Sequence, residues 1–344
     1  MHLCLSSGSR PRYKRDIVRA LALPRGAQLQ FRYRRQLIAP SILESLDDPK
    51  RRKKLRGASA LIAYVDQTSK TAEPQIVPCR LATLADPAVL GRSASLQLTV
   101  ADFALAADLA ATNQALRLLP ATGLPHRVGG DFDGLYWLEV ADIPGLTYSS
   151  DLGTFEEIVQ QLAPLPDFEA DRFFYTVQAL VETGDDAEIP IKDNTLELRP
   201  NRDYDLRLYH YHPSQGNPDS TLGATVSGTS VSFAMTPELV LDSPYDVKRF
   251  RFRTGSPTSG DRGVFTLRQK RESDDEWQWD FDLPFHLKRA FTRRVGLAVL
   301  IAVFLAIPPI TSAFSSNPRI VIPASAIFGL AAGLSAAFGI QRSL

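Results

Sequence analysis

The chain has 344 residues, of which 44% are hydrophobic and 22% charged, and a formal net charge of +1. That balance excludes a disordered, collagen-like or low-complexity protein, and the length suits two domains ahead of an anchor. Two cysteines, Cys4 and Cys79, are too few for a disulfide framework, which fits a reducing compartment.

The near-zero total hides segregation. Residues 1–60 hold 15 Lys+Arg against 4 Asp+Glu, whereas residues 61–170 hold 5 against 14. Residues 286–344 hold six cations and no carboxylate. A basic front, an acidic body and a basic collar describe a polarised object.

Met1 to Arg12 reads as a disordered arm. It has no uninterrupted apolar core and no small-residue cleavage site, so no secretory signal is expected there. Tyr13 to Leu23 reads as a short basic helix stopped by Pro24. Gln28 to Arg34 alternates, with Leu29, Phe31 and Tyr33 opposite Gln30, Arg32 and Arg34, the period of a half-buried strand. Ser41 and Glu44 form a capping-box pattern for a helix through Leu46. Asp48-Pro49 opens another, which Gly57 ends. That second helix carries Lys50, Arg51, Arg52, Lys53 and Lys54, with Arg56 just beyond. This run suits phosphates; anionic lipid headgroups are favoured over nucleic acid because two uncharged C-terminal runs would hold it near a membrane, and no aromatic residues interleave with it to stack single-stranded bases. A solvated face, or docking onto the acidic body of the same chain, are the alternatives.

Ala58 to Asp66, Gln75 to Leu84 and Ser93 to Val100 read as strands, the last two separated by a proline-containing turn. The alanine- and leucine-rich stretch from Ala101 to Leu119 reads as a helix closed by Pro120. Residues 13–165 are thus expected to form a mixed α+β domain with a small sheet. Within it, Asp131 and Asp133 sit among glycines and read as a turn, since the other ligands of a calcium loop are missing. The strand Leu135 to Val140, the turn Asp142-Ile-Pro-Gly-Leu146 and a helix capped by Thr154 and Glu157 follow. Residues 135–162 resemble one segment of HicB-type antitoxins, small α+β proteins that bind a toxin partner. No function is carried over from so short a match.

Pro164 to Asp171 reads as a linker. Beyond it the period changes to that of strands: Phe173 to Val181, Thr195 to Leu198, Tyr204 to Tyr211, Thr229 to Ala234, Val247 to Arg253, Gly263 to Arg268 and Glu276 to Phe285. Turn clusters separate these runs, a spacing that predicts an antiparallel β-sandwich over 172–285. Its size and rhythm resemble immunoglobulin-like modules, without their cysteine pair. Phe250 and Phe252 oppose Arg249, Arg251 and Arg253, and Trp277, Trp279, Phe281 and Leu283 share one face. His210 and His212 share a face about 7 Å apart on such a strand. With Leu206 and Leu208 on that face, they read as packing or surface histidines rather than metal ligands.

After a basic collar, residues 286–294, with Lys288, Arg289, Arg293 and Arg294, come two runs without a charge, Val295 to Phe314 and Ile320 to Ile340. Each would span a hydrocarbon core about 30 Å thick as a helix. The expected fold is therefore α+β, then β-sandwich, then a two-helix transmembrane hairpin. Cations flank the first span, so both termini are expected in the cytoplasm and the protein at the inner membrane. Ser325, Gly329, Gly333 and Ala337 place one small residue every four along the second span, a stripe suited to close helix packing and self-association. No ionisable residue lies in either run, which argues against a transport pathway.

No phosphate-binding glycine loop, nucleophile elbow, H-E-x-x-H or thiol–imidazole pair occurs. No catalytic residue, metal or cofactor is expected. The sequence points to a membrane-anchored recognition or scaffold protein with a protein partner. The alternative is a membrane-perturbing effector of the bacterial-defence type, in which a cytoplasmic sensor triggers the hairpin.

Overall fold

The computed structural model describes residues 1–7, 11–66, 75–117, 136–139, 143, 145–165, 168, 173–185, 187–213, 220–228, 230–234, 236–255, 261–271 and 278–288. The chain divides into Met1–Leu287 and Lys288–Leu344. Both uncharged runs fall outside the described residues, as do Asp131, Asp133, Arg289, Arg293, Arg294, Ser325, Gly329, Gly333 and Ala337.

The first part of the chain runs β1 (His2–Ser7), α1 (Pro11–Ala22), β2 (Gln28–Arg34), α2 (Pro40–Asp47), α3 (Pro49–Leu55), β3 (Ser59–Asp66), β4 (Gln75–Leu90), β5 (Ser93–Ala106), α4 (Leu109–Arg117), β6 (Tyr136–Glu139), β7 (Leu146–Ser149) and α5 (Leu152–Leu162). Its strands form one mixed sheet in the order β2-β5-β4-β3-β1-β6, with β7 beside β5. The β1–β3 pair is parallel and the other pairs are antiparallel.

Several local expectations change. His2–Ser7 is a strand, not a disordered arm: Leu3, Cys4 and Leu5 are buried and pair with Leu61, Ile62 and Ala63. A strand covered on both faces needs no alternation, and six residues are too few for a period to register. The hairpin β4–β5 turns at Gly91, with φ 59°, while Pro87 lies inside β4 next to a register shift between Leu84 and Asp86. A bulge is where a strand tolerates proline's missing donor. The alanine-rich stretch continues β5 to Ala106, leaving only nine residues for α4. Pairing with Thr147 and Tyr148 of β7 overrides its helix propensity. Ser41 does not cap α2, which begins at Pro40 after Ala39, and α5 begins at Leu152 after Asp151 instead of at Thr154.

The second part runs β8 (Phe174–Glu182), β9 (Ile191–Lys192), β10 (Thr195–Leu198), β11 (Asp203–Tyr211), β12 (Ser220–Ser227), β13 (Val231–Phe233), β14 (Glu238–Leu241), β15 (Tyr245–Thr254), β16 (Asp261–Arg271) and β17 (Gln278–Leu287). They build a four-stranded sheet, β13-β15-β11-β8, and a six-stranded sheet, β14-β12-β16-β17-β10-β9. The alternating strands predict which side chains turn inward. Phe250 and Phe252 are buried between exposed Arg249, Arg251 and Arg253, and β17 buries Phe281, Leu283, Phe285 and Leu287. The two faces meet ring to ring, Phe252 to Phe265 at 4.6 Å and Tyr175 to Phe281 at 5.6 Å between centroids, while Phe265 packs on Phe285 of the neighbouring strand at 4.8 Å. This is the interdigitated core of a β-sandwich. The β10–β17 pair is parallel, a departure from an all-antiparallel sandwich.

The stretch read as a linker holds buried Leu165 and Phe168. The Phe168 ring lies 4.9 Å from Tyr64 and 5.9 Å from Phe174, so it joins the mixed sheet to β8. Helix α1 touches β1, β2, β3 and β4 of the mixed sheet as well as β8 and β17 of the sandwich.

Candidate functional site

The basic run folds as the dipeptide Asp48-Pro49 predicts. Proline takes the first helical position of α3, and the Asp48 carboxylate accepts from the Lys50 backbone N–H at 2.7 Å. Arg52, Lys53 and Lys54 fall in the last turn, where cations suit the negative end of the helix dipole. Gly57 ends the turn with φ 78°. No residue of α3 is buried.

The six cations are not equivalent. Arg51 lies 3.6 Å from Asp48 and 3.9 Å from Glu44, and Arg56 lies 2.7 Å from Asp86. Arg52 helps Arg35 hold the Asp47 carboxyl below its usual range. Lys50, Lys53 and Lys54 have no carboxylate partner among the described residues. The helix therefore presents three uncommitted ammonium groups to solvent, the arrangement an anionic surface recognises. The collar reading begins too early, since His286 and Leu287 belong to β17; of its cations only Lys288 is described, and it is exposed.

His210 and His212 are buried beside Phe173, with ring centroids at 5.3 and 4.8 Å. Among the described residues no group of three His, Cys, Asp or Glu could hold a metal. Burial, reinforced by Lys248, lowers His210 to about 4. On the opposite face of β11, the Tyr209 hydroxyl donates to Glu156 and Tyr211 accepts from Gln160 at 2.8 Å, both on α5. Burial and then the Glu156 carboxylate push the Tyr209 hydroxyl up. Cys4 and Cys79 are free and buried. Burial raises the Cys4 thiol and pushes Cys79 up to about 12, which keeps both protonated and unreactive.

The sequence reading misses Arg80, an arginine in the middle of β4 that is only 3% exposed. One arginine in an apolar strand carries no signal of its own, because its burial is decided by what packs over it. It floors a cleft between the turn Pro24–Gly26 and β8.

No protein-family model and no curated protein matches the chain. Among solved structures, the N-terminal domain of PorA is similar at 12% identity, over 32% of this chain and 97% of that one, with a TM-score of 0.21. A FixG-related protein from Vibrio parahaemolyticus is similar at 10% identity, over 26% of this chain and 82% of that one, with a TM-score of 0.19. A human PapD-like domain is similar at 9% identity, over 28% and 80%, with a TM-score of 0.20. Likenesses this weak carry no argument; the β-sandwich stands on its own strand pairing.

Among the described residues no helix is long and apolar enough to cross a membrane.

Proposed function

We propose that the chain is a membrane-anchored recognition protein. Its β-rich unit would meet a protein partner, and the runs 295–314 and 320–340 would tether that unit to the inner face of the membrane as a helical hairpin. The finer organisation in this reading is an α+β layer, an immunoglobulin-like sandwich and the hairpin, with both termini in the cytoplasm.

One observation carries the reading: two uncharged runs of membrane-spanning length follow four cations, Lys288, Arg289, Arg293 and Arg294. Strand β17 ends at Leu287, and the cations begin at the next residue in the sequence. The uncommitted lysines of α3 add a second anionic-lipid contact. The test is topology and extraction. A cytoplasm-active reporter fused after Leu344 should be active, and carbonate should leave the protein in the membrane. A reporter active only outside the cytoplasm, or release by salt, refutes the proposal.

The stripe Ser325, Gly329, Gly333 and Ala337 favours a second reading, in which copies associate through the second span and breach the bilayer. Induction of the full chain would then depolarise cells, whereas an anchor leaves them polarised.

A further inference from the structure

The cleft at Arg80 has two chambers. The first, of ≈ 390 Å³, is lined by Arg80, Phe103, Thr176 and Gln178, with Asp102 and Glu188 also on its wall. The second, of ≈ 450 Å³, is lined by Ala179, Leu180, Ile189, Ile191, Leu206 and Leu283. Pro24, Arg25, Val177 and Glu188 belong to both, so the chambers adjoin. Each falls in the usual range of small-molecule sites, about 300–1,000 Å³.

Arg80 is committed to this space at a cost. Its Nη2 donates to the Leu23 carbonyl at 2.9 Å, and its guanidinium lies 3.9 Å over the Phe103 ring. Its Nε is buried and has no hydrogen-bond partner among the described residues. Asp102, the nearest helpful carboxylate, is engaged at 3.1 Å by Arg25 on the rim. Burial depresses the guanidinium to about 9. With its one helpful carboxylate shared with Arg25, the buried guanidinium is under-compensated, and an anion entering the chamber relieves that.

We propose that this cleft binds a small amphipathic monoanion, its carboxylate on Arg80 and its hydrocarbon tail in the chamber lined by Leu180, Ile191 and Leu206. The single charge follows from the wall. Asp102 is taken by Arg25, which leaves Arg80 one positive charge to offer, and Glu188 on the wall repels the second charge of a dianion such as a phosphate monoester. The tail follows from the second chamber, whose wall is aliphatic. Gly26 keeps the passage open: its φ of 89° suits glycine, and a Cβ there would stand 3.3 Å from the Ile191 carbonyl. The site is independent of membrane attachment.

The test uses the full chain in zwitterionic nanodiscs and a diazirine-bearing octanoic acid, with adducts mapped by peptide mass spectrometry. Adducts are expected on peptides containing residues 24–26 and 176–191, displaced by octanoate and not by octanol or acetate. Arg80→Met, with its fold checked by circular dichroism, should label about tenfold less, the loss of a charge-assisted contact. If Arg80→Met does not fold, Ala179→Trp decides the matter by filling the tail chamber, and it should abolish cleft labelling. Adducts confined to other peptides, equal displacement by octanol, or undiminished labelling of a folded variant would overturn the proposal.

Discussion

Gly263 on β16 sits under the ring of its cross-strand partner Phe285, and replacing it with alanine is a sharp test of how tightly the sandwich is closed. A Cβ built on Gly263 would lie 2.1 Å from the Ser227 carbonyl oxygen of β12 and 2.3 Å from Phe285 Cζ. Neither neighbour yields cheaply. Ser227 is backbone, held in register with Val264, whose N–H donates to Ser227 Oγ at 3.0 Å. Phe285 is 1% exposed and packed on Phe265. Overpacking a closed core costs about 1–3 kcal/mol, and a backbone obstacle puts this site at the upper end, about 3 kcal/mol or roughly 150-fold in the folding equilibrium. Urea unfolding of the full chain in mild detergent, followed by tryptophan fluorescence, should show the midpoint of Gly263→Ala falling at unchanged slope. Gly263→Ala with Phe285→Leu should be less destabilised than the sum of the two single changes, because the shared clash is relieved once. A midpoint within about 0.5 kcal/mol of the parent would refute the close approach of β12, β16 and β17.

Stability should also fall in acid through His210. The unfolded chain takes up its proton near pH 6.5 and the folded one only near 4, against Lys248 and with Asp246 and Asp242 nearby. Stability is then complete above pH 6.5 and drops by about 3 kcal/mol toward pH 4; His210→Leu should flatten that part of the urea-midpoint profile. Asp205 acts in a lower window. Arg251 donates to it at 2.8 and 3.1 Å and holds its carboxyl below the ordinary value, so its contribution is present above that ordinary value and is lost as pH falls through the depressed one. Asp205→Asn should cost about 1–3 kcal/mol at pH 7, with the gap to the parent closing in strong acid. Replacing Lys50, Lys53 and Lys54 together by alanine should remove about 3 kcal/mol of attraction to anionic lipid. Hydrogen exchange across α3 should then no longer differ between anionic and zwitterionic nanodiscs, whereas Arg56→Ala, which is engaged with Asp86, should change it little.

What the sequence made legible is what alternation and turn chemistry encode locally. Strand β2 keeps the bounds Gln28 to Arg34, and β15 separates its phenylalanines from its arginines as the pattern requires. Asp48-Pro49 marks the start of α3 because cap and N1 preference are both local. Five strands, β1, β7, β9, β12 and β14, escape notice. In β12 the run Leu222-Gly-Ala-Thr225 has too little side chain to show a period, although the strand is sandwiched between β14 and β16. Arg80 and the lower wall of its cleft were illegible for a different reason: they are made by residues about a hundred positions apart, and no window along the chain contains both.

The same long-range closure explains why prolines and acids at 164–171 do not separate two bodies. The hairpin β9–β10 turns through Asp193 and Asn194, with φ 48° and 58°, conformations that asparagine and aspartate tolerate. Asn194 then accepts from the backbone N–H of Gln28 at 2.6 Å, so a donor on the edge strand of the first sheet is satisfied by a side chain of the second. Phe155 of α5 lies 5.5 Å from Phe103 and 6.2 Å from Tyr209, one ring bridging both sheets. Separating these surfaces would expose aromatic area on each side and orphan the Gln28 donor, and both changes oppose independent folding. The cleft inherits that dependence. Its lip, Pro24–Gly26, comes from the first part of the chain and its wall, β8, from the second, so the position of Arg80 relative to the apolar chamber is fixed only when both have folded.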